Sequence, residues 1–188
     1  MPAIASPFRR SAVLLLSLVG RGAVAAHSQA ASAEVARIKA AYQADLKDVA
    51  GKFVALSDAF PAATYGWRPM PGTRSVSQVL GLVAGEMYFD VVPAFGGKVP
   101  ADVAKLDAAK LEAMTDRAAL IGHVKAAYAL AQEAVSKWSG PADGAIQFWG
   151  EKRSPVGLFT ILMADQHEHL GQLIAYARSN KIVPPWSR

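Results

Sequence analysis

The chain has 188 residues, no cysteine, and 20 basic against 15 acidic side chains, for a formal charge of +5. Without cysteine it can form no disulfide and present no thiolate, so any chemistry must come from histidine, carboxylate, hydroxyl or a bound group. The basic excess does not point to nucleic acid, because Arg37, Lys47, Lys52 and Lys125 are interspersed with acids and form no run.

The N-terminus accounts for much of that excess. Arg9 and Arg10 precede the apolar run Ser11 to Gly20, and Ala23-Val24-Ala25 follows as a small-x-small site. This is the layout of a secretory signal peptide, and its apolar core of about ten residues is too short to span a bilayer. Residues 1–30 therefore read as signal peptide and processing region, and residues 31–188 as a single domain. The Arg9-Arg10 pair leaves twin-arginine export open beside the general secretory route. Three arginines and no acid lie in residues 1–25, so their removal lowers the charge from +5 to +2. The mature protein is expected to be exported, periplasmic or secreted, with no membrane span and no nucleic-acid partner, and a homodimer is compatible with it.

Four segments carry a helical period, and none alternates as a strand would. In the first, Val35, Ile38, Tyr42, Leu46, Val49, Phe53, Leu56 and Phe60 recur at steps of three or four and draw one apolar stripe. The stretch "PAATYGWRPMPGTRS" then breaks the period. A second helix begins after Ser75, with Gln78 placed to complete a capping box, carries Val76, Val79, Leu80, Leu82, Val83 and Met87, and should stop near Pro93. "FGGKVPADVAKLDAAKLEAM" reads as a loop with a short helical piece.

Thr115 or Asp116 can cap a third helix with the stripe Leu120, Val124, Tyr128, Ala131, Val135 and Trp138, ended by Gly140 and Pro141. "ADGAIQFWGEKR" reads as a loop whose Phe148 and Trp149 tuck against the helices. Ser154 and Pro155 open a fourth helix that runs to about Ser179. The expected fold is all-α, a four-helix bundle with long connections.

The fourth helix holds the segment "ADQHEH". Its inward stripe runs Leu158, Leu162, Asp165, His169, Leu173, Tyr176, so a carboxylate and an imidazole interrupt an apolar face. His167 lies about 200° around the helix from each of them and cannot share a metal with His169, so His167 and Glu168 belong to the outer surface. Asp165 and His169, at i and i+4, can converge on one ligand or on each other. Spacing alone favours a simple hydrogen-bonded pair, and a metal site needs a further ligand from another helix. Glu86, on the stripe Val79, Leu82, Glu86, is the one ionisable residue of the second helix at a suitable level.

"RSVSQVLGLVAGEMYF" and "DQHEHLGQLIAYARSNKIVPP", with "YGWRPMPGTRS" before them, resemble the DinB-like family of four-helix-bundle metalloproteins. The resemblance spans the mature chain. Its most specific part is His169, Gly171, Gln172, Tyr176, Arg178, Val183, Pro184 and Pro185, supported by Trp67, Arg68, Pro69, Arg74, Ser75, Ala84 and Gly85. It implies a divalent metal such as zinc or nickel on three histidines, one from the second helix and an H-x3-H pair from the fourth. Some relatives are thiol-dependent transferases or isomerases.

Of those three positions His169 alone matches. Leu82 stands at the first and Asp165 at the second, which makes the ligand set degenerate and shifts any preference toward harder ions. Two readings of function follow. The first is an exported binding or structural module with a lost or altered metal site, holding a small molecule in a cleft lined by Leu82, Glu86, Asp165 and His169. The alternative is a metal-dependent enzyme of hydrolase or transferase type, with a rebuilt Glu86/Asp165/His169 centre. A metal-free variant of it would use His169 as a base oriented by Asp165, and Ser75 and Thr73 are explained as cap and loop residues, not nucleophiles.

Intact-mass measurement on protein recovered from the producing cell's envelope checks the signal segment. The mass should lack residues through about Ala25 to Ala30. A species that still carries Arg9 and Arg10 contradicts the assignment.

Overall fold

The computed structural model describes the backbone of residues 11–187 and the side chains of residues 28–187. Residues 1–10 and the side chains through residue 27, on which the expected signal segment rests, lie outside the described residues. The described fold is mostly helical. Helix α1 spans Ser11–Ala59, α2 Val76–Glu86, α3 Val92–Ala94, α4 Ala108–Glu112, α5 Arg117–Lys137 and α6 Pro155–Ser179. Among the described residues no helix is long and apolar enough to cross a membrane.

Local chemistry sets the helix starts. Ser75 accepts from the Gln78 N–H while the Gln78 side chain accepts from the Ser75 N–H, so two N–H groups at the start of α2 are satisfied reciprocally. Asp116 caps α5 through the Ala119 N–H, and Ser154 caps α6 through the Gly157 N–H with Pro155 in the first turn. The helical run ends at Ala94, beside the expected stop near Pro93. A π-helical turn, Met87–Val91, follows α2 directly and leads into α3, which ends at Phe95 and the left-handed Gly96. The Val92 N–H reaches back to the Met87 carbonyl in that wider turn.

One apolar core joins the long helices. Tyr42, Leu46, Val49, Phe53 and Leu56 of α1 are buried against Val79, Leu80 and Val83 of α2, Leu120, Val124 and Tyr128 of α5, and Leu158, Leu162 and Leu173 of α6. Helix α1 packs on α5 and α6, and α2 packs on α5, on α4 and, over fewer points, on α6. The short α4 can lie close because Gly81 carries no side chain: a Cβ there would stand 2.3 Å from the Leu111 carbonyl oxygen. Tyr176 near the end of α6 donates to the Arg74 carbonyl just before α2, while Asp165 and His169 meet Glu86 at the end of α2. Helices α2 and α6 are therefore antiparallel neighbours.

Two expectations need correction. The segment read as a loop after α5 is a two-stranded antiparallel hairpin, β1 Ile146–Phe148 and β2 Glu151–Arg153, with Phe148 opposite Glu151. Its turn residues Trp149 and Gly150 both have positive φ, as a type I′ turn requires. Phe148 is buried as expected, but Trp149 is 46 % exposed, because the turn carries it to the tip. The centre of the buried face of α6 also lies to one side of the stripe drawn from sequence. It passes through Leu162, Gln166, Leu170, Leu173 and Ala177, with Asp165 and His169 half-buried on its edge.

Leu162 and Leu173 are buried to about the last per cent. Truncating either to alanine should cost about 2 to 5 kcal/mol in denaturant unfolding, from lost transfer energy and the residual cavity. His167 is exposed and pairs with Asp45 on α1 at 2.7 Å, so His167→Ala should cost no more than about 1 kcal/mol. A costlier His167 would reverse the facing of α6.

Candidate metal centre

Glu86 closes α2 immediately before the π turn, and Asp165 and His169 stand one turn apart in α6. The three residues named from the sequence come together. One oxygen of each carboxylate and one ring nitrogen of His169 all lie within 4.8 Å of one another. His169 Nε2 is 3.5 Å from Glu86 Oε1 and 3.7 Å from Asp165 Oδ1. Four donors arranged tetrahedrally at about 2.1 Å from an ion are about 3.4 Å apart, so these separations are close to those of a ligand set. Leu82, half-buried one turn before Glu86, shares its helix face and contributes no donor.

A residue absent from the sequence-based set organises the cluster. Gln166 is 1 % exposed, and its amide nitrogen donates to Glu86 Oε2 at 3.2 Å and to Asp165 Oδ2 at 3.1 Å. Its amide oxygen accepts from the buried Tyr128 hydroxyl of α5. The opposite amide orientation would aim a carbonyl at two carboxylates, so the chemistry of the neighbours fixes the assignment. Both Gln166 N–H groups are used on the outer carboxylate oxygens. Glu86 Oε1 and Asp165 Oδ1 are left facing His169 Nε2.

The electrostatics match this crowding. Burial pushes the Asp165 carboxyl up to about 6, the Glu86 charge adds to the rise, and His169 and the Gln166 hydrogen bond oppose it. His169 is raised from its ordinary value, first by its hydrogen-bonding contact with Glu86, against the effect of burial, with the Glu86 and Asp165 charges adding. The upward shifts of Asp165 and His169 both favour keeping a proton in the cluster, and a divalent cation would compete with it. The Nδ1 atom of His169 is buried without a hydrogen-bond partner, although the nearby Gln172 side chain adds to the upward shift.

Each long helix brings a polar group to this region. Tyr42 of α1 has a buried hydroxyl with no partner, and its pKa is raised by burial and then by the charges of Asp45 and Asp165. On the far side of Glu86, burial raises the Asp90 carboxyl, opposed by the Trp149 side chain at the hairpin tip, with Asp165 adding to the rise. His167 and Glu168 are exposed and outside the cluster, as the helix geometry requires. Ser75 and Thr73 act as cap and loop residues: Ser75 caps α2, and Thr73 donates to the Met70 carbonyl.

No protein-family model matches the chain, and no curated protein matches it either.

The raised Asp165 has a consequence for stability. An unfolded aspartate loses its proton near pH 3.9, whereas folded Asp165 keeps it up to about pH 6. The folded state thus binds more protons across that window and loses stability as pH rises through it; the upward shift of His169 acts in the same direction at higher pH. Melting of metal-free wild type and Asp165→Asn in chelator tests this. Relative to the variant, the wild type should lose stability between about pH 4 and 6, and a constant difference across that range would contradict the shift.

Proposed function

We propose that this protein is an exported four-helix bundle of DinB-like type, built from α1, α2, α5 and α6, that binds one divalent metal ion on Glu86, Asp165 and His169. The observation that carries this reading is the division of labour among the carboxylate oxygens. Gln166 ties down one oxygen of each acid, and the remaining two converge with His169 Nε2. An Asp–His pair kept only to satisfy its own polarity needs neither a second carboxylate nor an amide bridging the two acids. Of the two functional readings drawn from the sequence, the geometry therefore supports the rebuilt centre over the dismantled one.

The chemistry of the donors sets the ion. Two carboxylates with one imidazole form a harder set than three imidazoles, which shifts preference toward manganese and ferrous iron compared with such a site while still accepting zinc. A bound ion would supply a Lewis acid with open positions for water or substrate. The chain's own groups would then hold and orient. Tyr128 fixes the Gln166 amide, and Gln166 orients the two carboxylates.

Equilibrium dialysis against Mn2+ and Zn2+, followed by metal analysis, tests the proposal. Wild type should retain about one ion per chain. Glu86→Ala and His169→Ala should each lose it, and Gln166→Leu should bind at least about tenfold more weakly, the usual consequence of removing an outer-shell partner. A wild type that retains no ion at either metal, or a Glu86→Ala chain that retains it fully, overturns the reading.

A further inference from the structure

A polar cleft opens beside the Glu86/Asp165/His169 cluster. Arg68, Thr73 and Arg74 of the loop before α2, Gln78 of α2, Glu112 of α4 and Gln172 of α6 line a cavity of about 520 Å3, within the range of small-molecule sites. Gln172 is one helical turn beyond His169 and adjoins its ring, and the Glu86 charge is felt at Arg74 after the stronger effect of Glu112. The cleft and the cluster therefore share a wall.

The cleft is rich in unused donors. Arg68 makes one described hydrogen bond, from Nη1 to the Thr73 carbonyl, and no described carboxylate lies within ion-pairing distance of it. The Gln78 amide oxygen is consumed by the capping box, and among the described residues its NH2 group has no partner. The one acid in the cleft, Glu112, is paired with Arg74 through Nε at 3.0 Å and Nη2 at 3.4 Å. What remains is the rest of the Arg68 guanidinium, beyond the Nη1 bond to Thr73, and an amide NH2 group without a described acceptor, a complement to a planar anion.

The surrounding loop is held in place. Trp67 packs edge-on against Tyr176 at 5.3 Å, the Val76 N–H donates to the Trp67 carbonyl, and the Tyr176 hydroxyl accepts from Gln172 and donates to the Arg74 carbonyl. The backbone on either side of Arg68 is thus anchored at Trp67 and Arg74, which lowers the ordering cost of binding. Along α2, Leu82 lies between Gln78 and Glu86 on one face, so an apolar surface separates the donor-rich end from the carboxylates.

We propose that this cleft binds the carboxylate of a small aliphatic acid, anchored by the Arg68 guanidinium and the Gln78 amide, whose other end extends past Leu82 toward the Glu86/Asp165/His169 centre. As the substrate class of that centre the assignment rests on the metal reading. As an anion site it follows from the donors of the cleft.

Succinate is the probe, with succinamide as its neutral counterpart, titrated calorimetrically into Mn2+-treated and metal-free full-length protein. Wild type should bind succinate in both forms, Arg68→Gln should weaken it about tenfold or more, the usual effect of losing a charge-assisted hydrogen bond, and succinamide should not compete. Unchanged melting of Arg68→Gln shows that its fold is intact. Arg68-dependent succinate binding in a chain that retains no Mn2+ upholds the anion site while removing the metal reading. Succinate binding that ignores Arg68, binding of succinamide with equal affinity, or no succinate binding, whether or not the chain retains Mn2+, overturns the proposal.

Discussion

A single buried amide governs the polar interior of this protein. Gln166 stands on the innermost line of α6, where its neighbours one turn away in either direction, Leu162 and Leu170, are apolar and buried. An amide there is costly unless each donor and acceptor is used. It is fully used: Tyr128 satisfies the oxygen, and the two N–H groups are divided between Glu86 and Asp165. The same bonds that make the amide tolerable bring two carboxylates within reach of one imidazole, which neither acid would favour alone. Burial first, and then the Glu86 charge, raises Asp165, while the contact with Glu86 raises His169.

The location of the cluster follows from how the helices pack. Helix α1 lies along α5 and α6 over long apolar faces, whereas α2 and α6 meet over fewer points. Into that seam project Gln78, Leu82, Glu86 and Asp90 from one side and Asp165, His169 and Gln172 from the other. The α2 side ends in a π turn directly after Glu86, a widening of the backbone that recurs at functional positions. One end of the seam is walled by the arginine-bearing loop, and the other by the hairpin tip, where Trp149 takes a left-handed conformation that a bulky residue adopts at a cost.

How much of this could be read from the residues depended on range. The starts of α2, α5 and α6 were legible because Ser75 with Gln78, Asp116, and Ser154 with Pro155 act within a single turn. The stripe from Val35 to Phe60 was legible because a 3.6-residue period needs no partner to be seen. The hairpin was not, since its strands are three residues long and its turn is Trp149-Gly150 in place of the usual Asn-Gly or Asp-Gly. Glu86, Asp165 and His169 could be named as candidates, but their convergence depends on contacts between residues about 80 positions apart. Gln166 escaped because the stripe was drawn through its charged neighbours, and Tyr128 and Tyr42 because their hydroxyls were counted with the apolar face. The available signal was a neutral amide at four-residue spacing from both Leu162 and Leu170.

The central claim is that three specific atoms form one cation site. Anomalous diffraction at the manganese edge from crystals grown with Mn2+ measures it directly. A bound Mn2+ should give one strong peak per chain, about 2.0 to 2.3 Å from His169 Nε2, Glu86 Oε1 and Asp165 Oδ1, with Gln166 still bridging the other two carboxylate oxygens. A peak bound elsewhere, or none with the three side chains ordered and in contact, would contradict it.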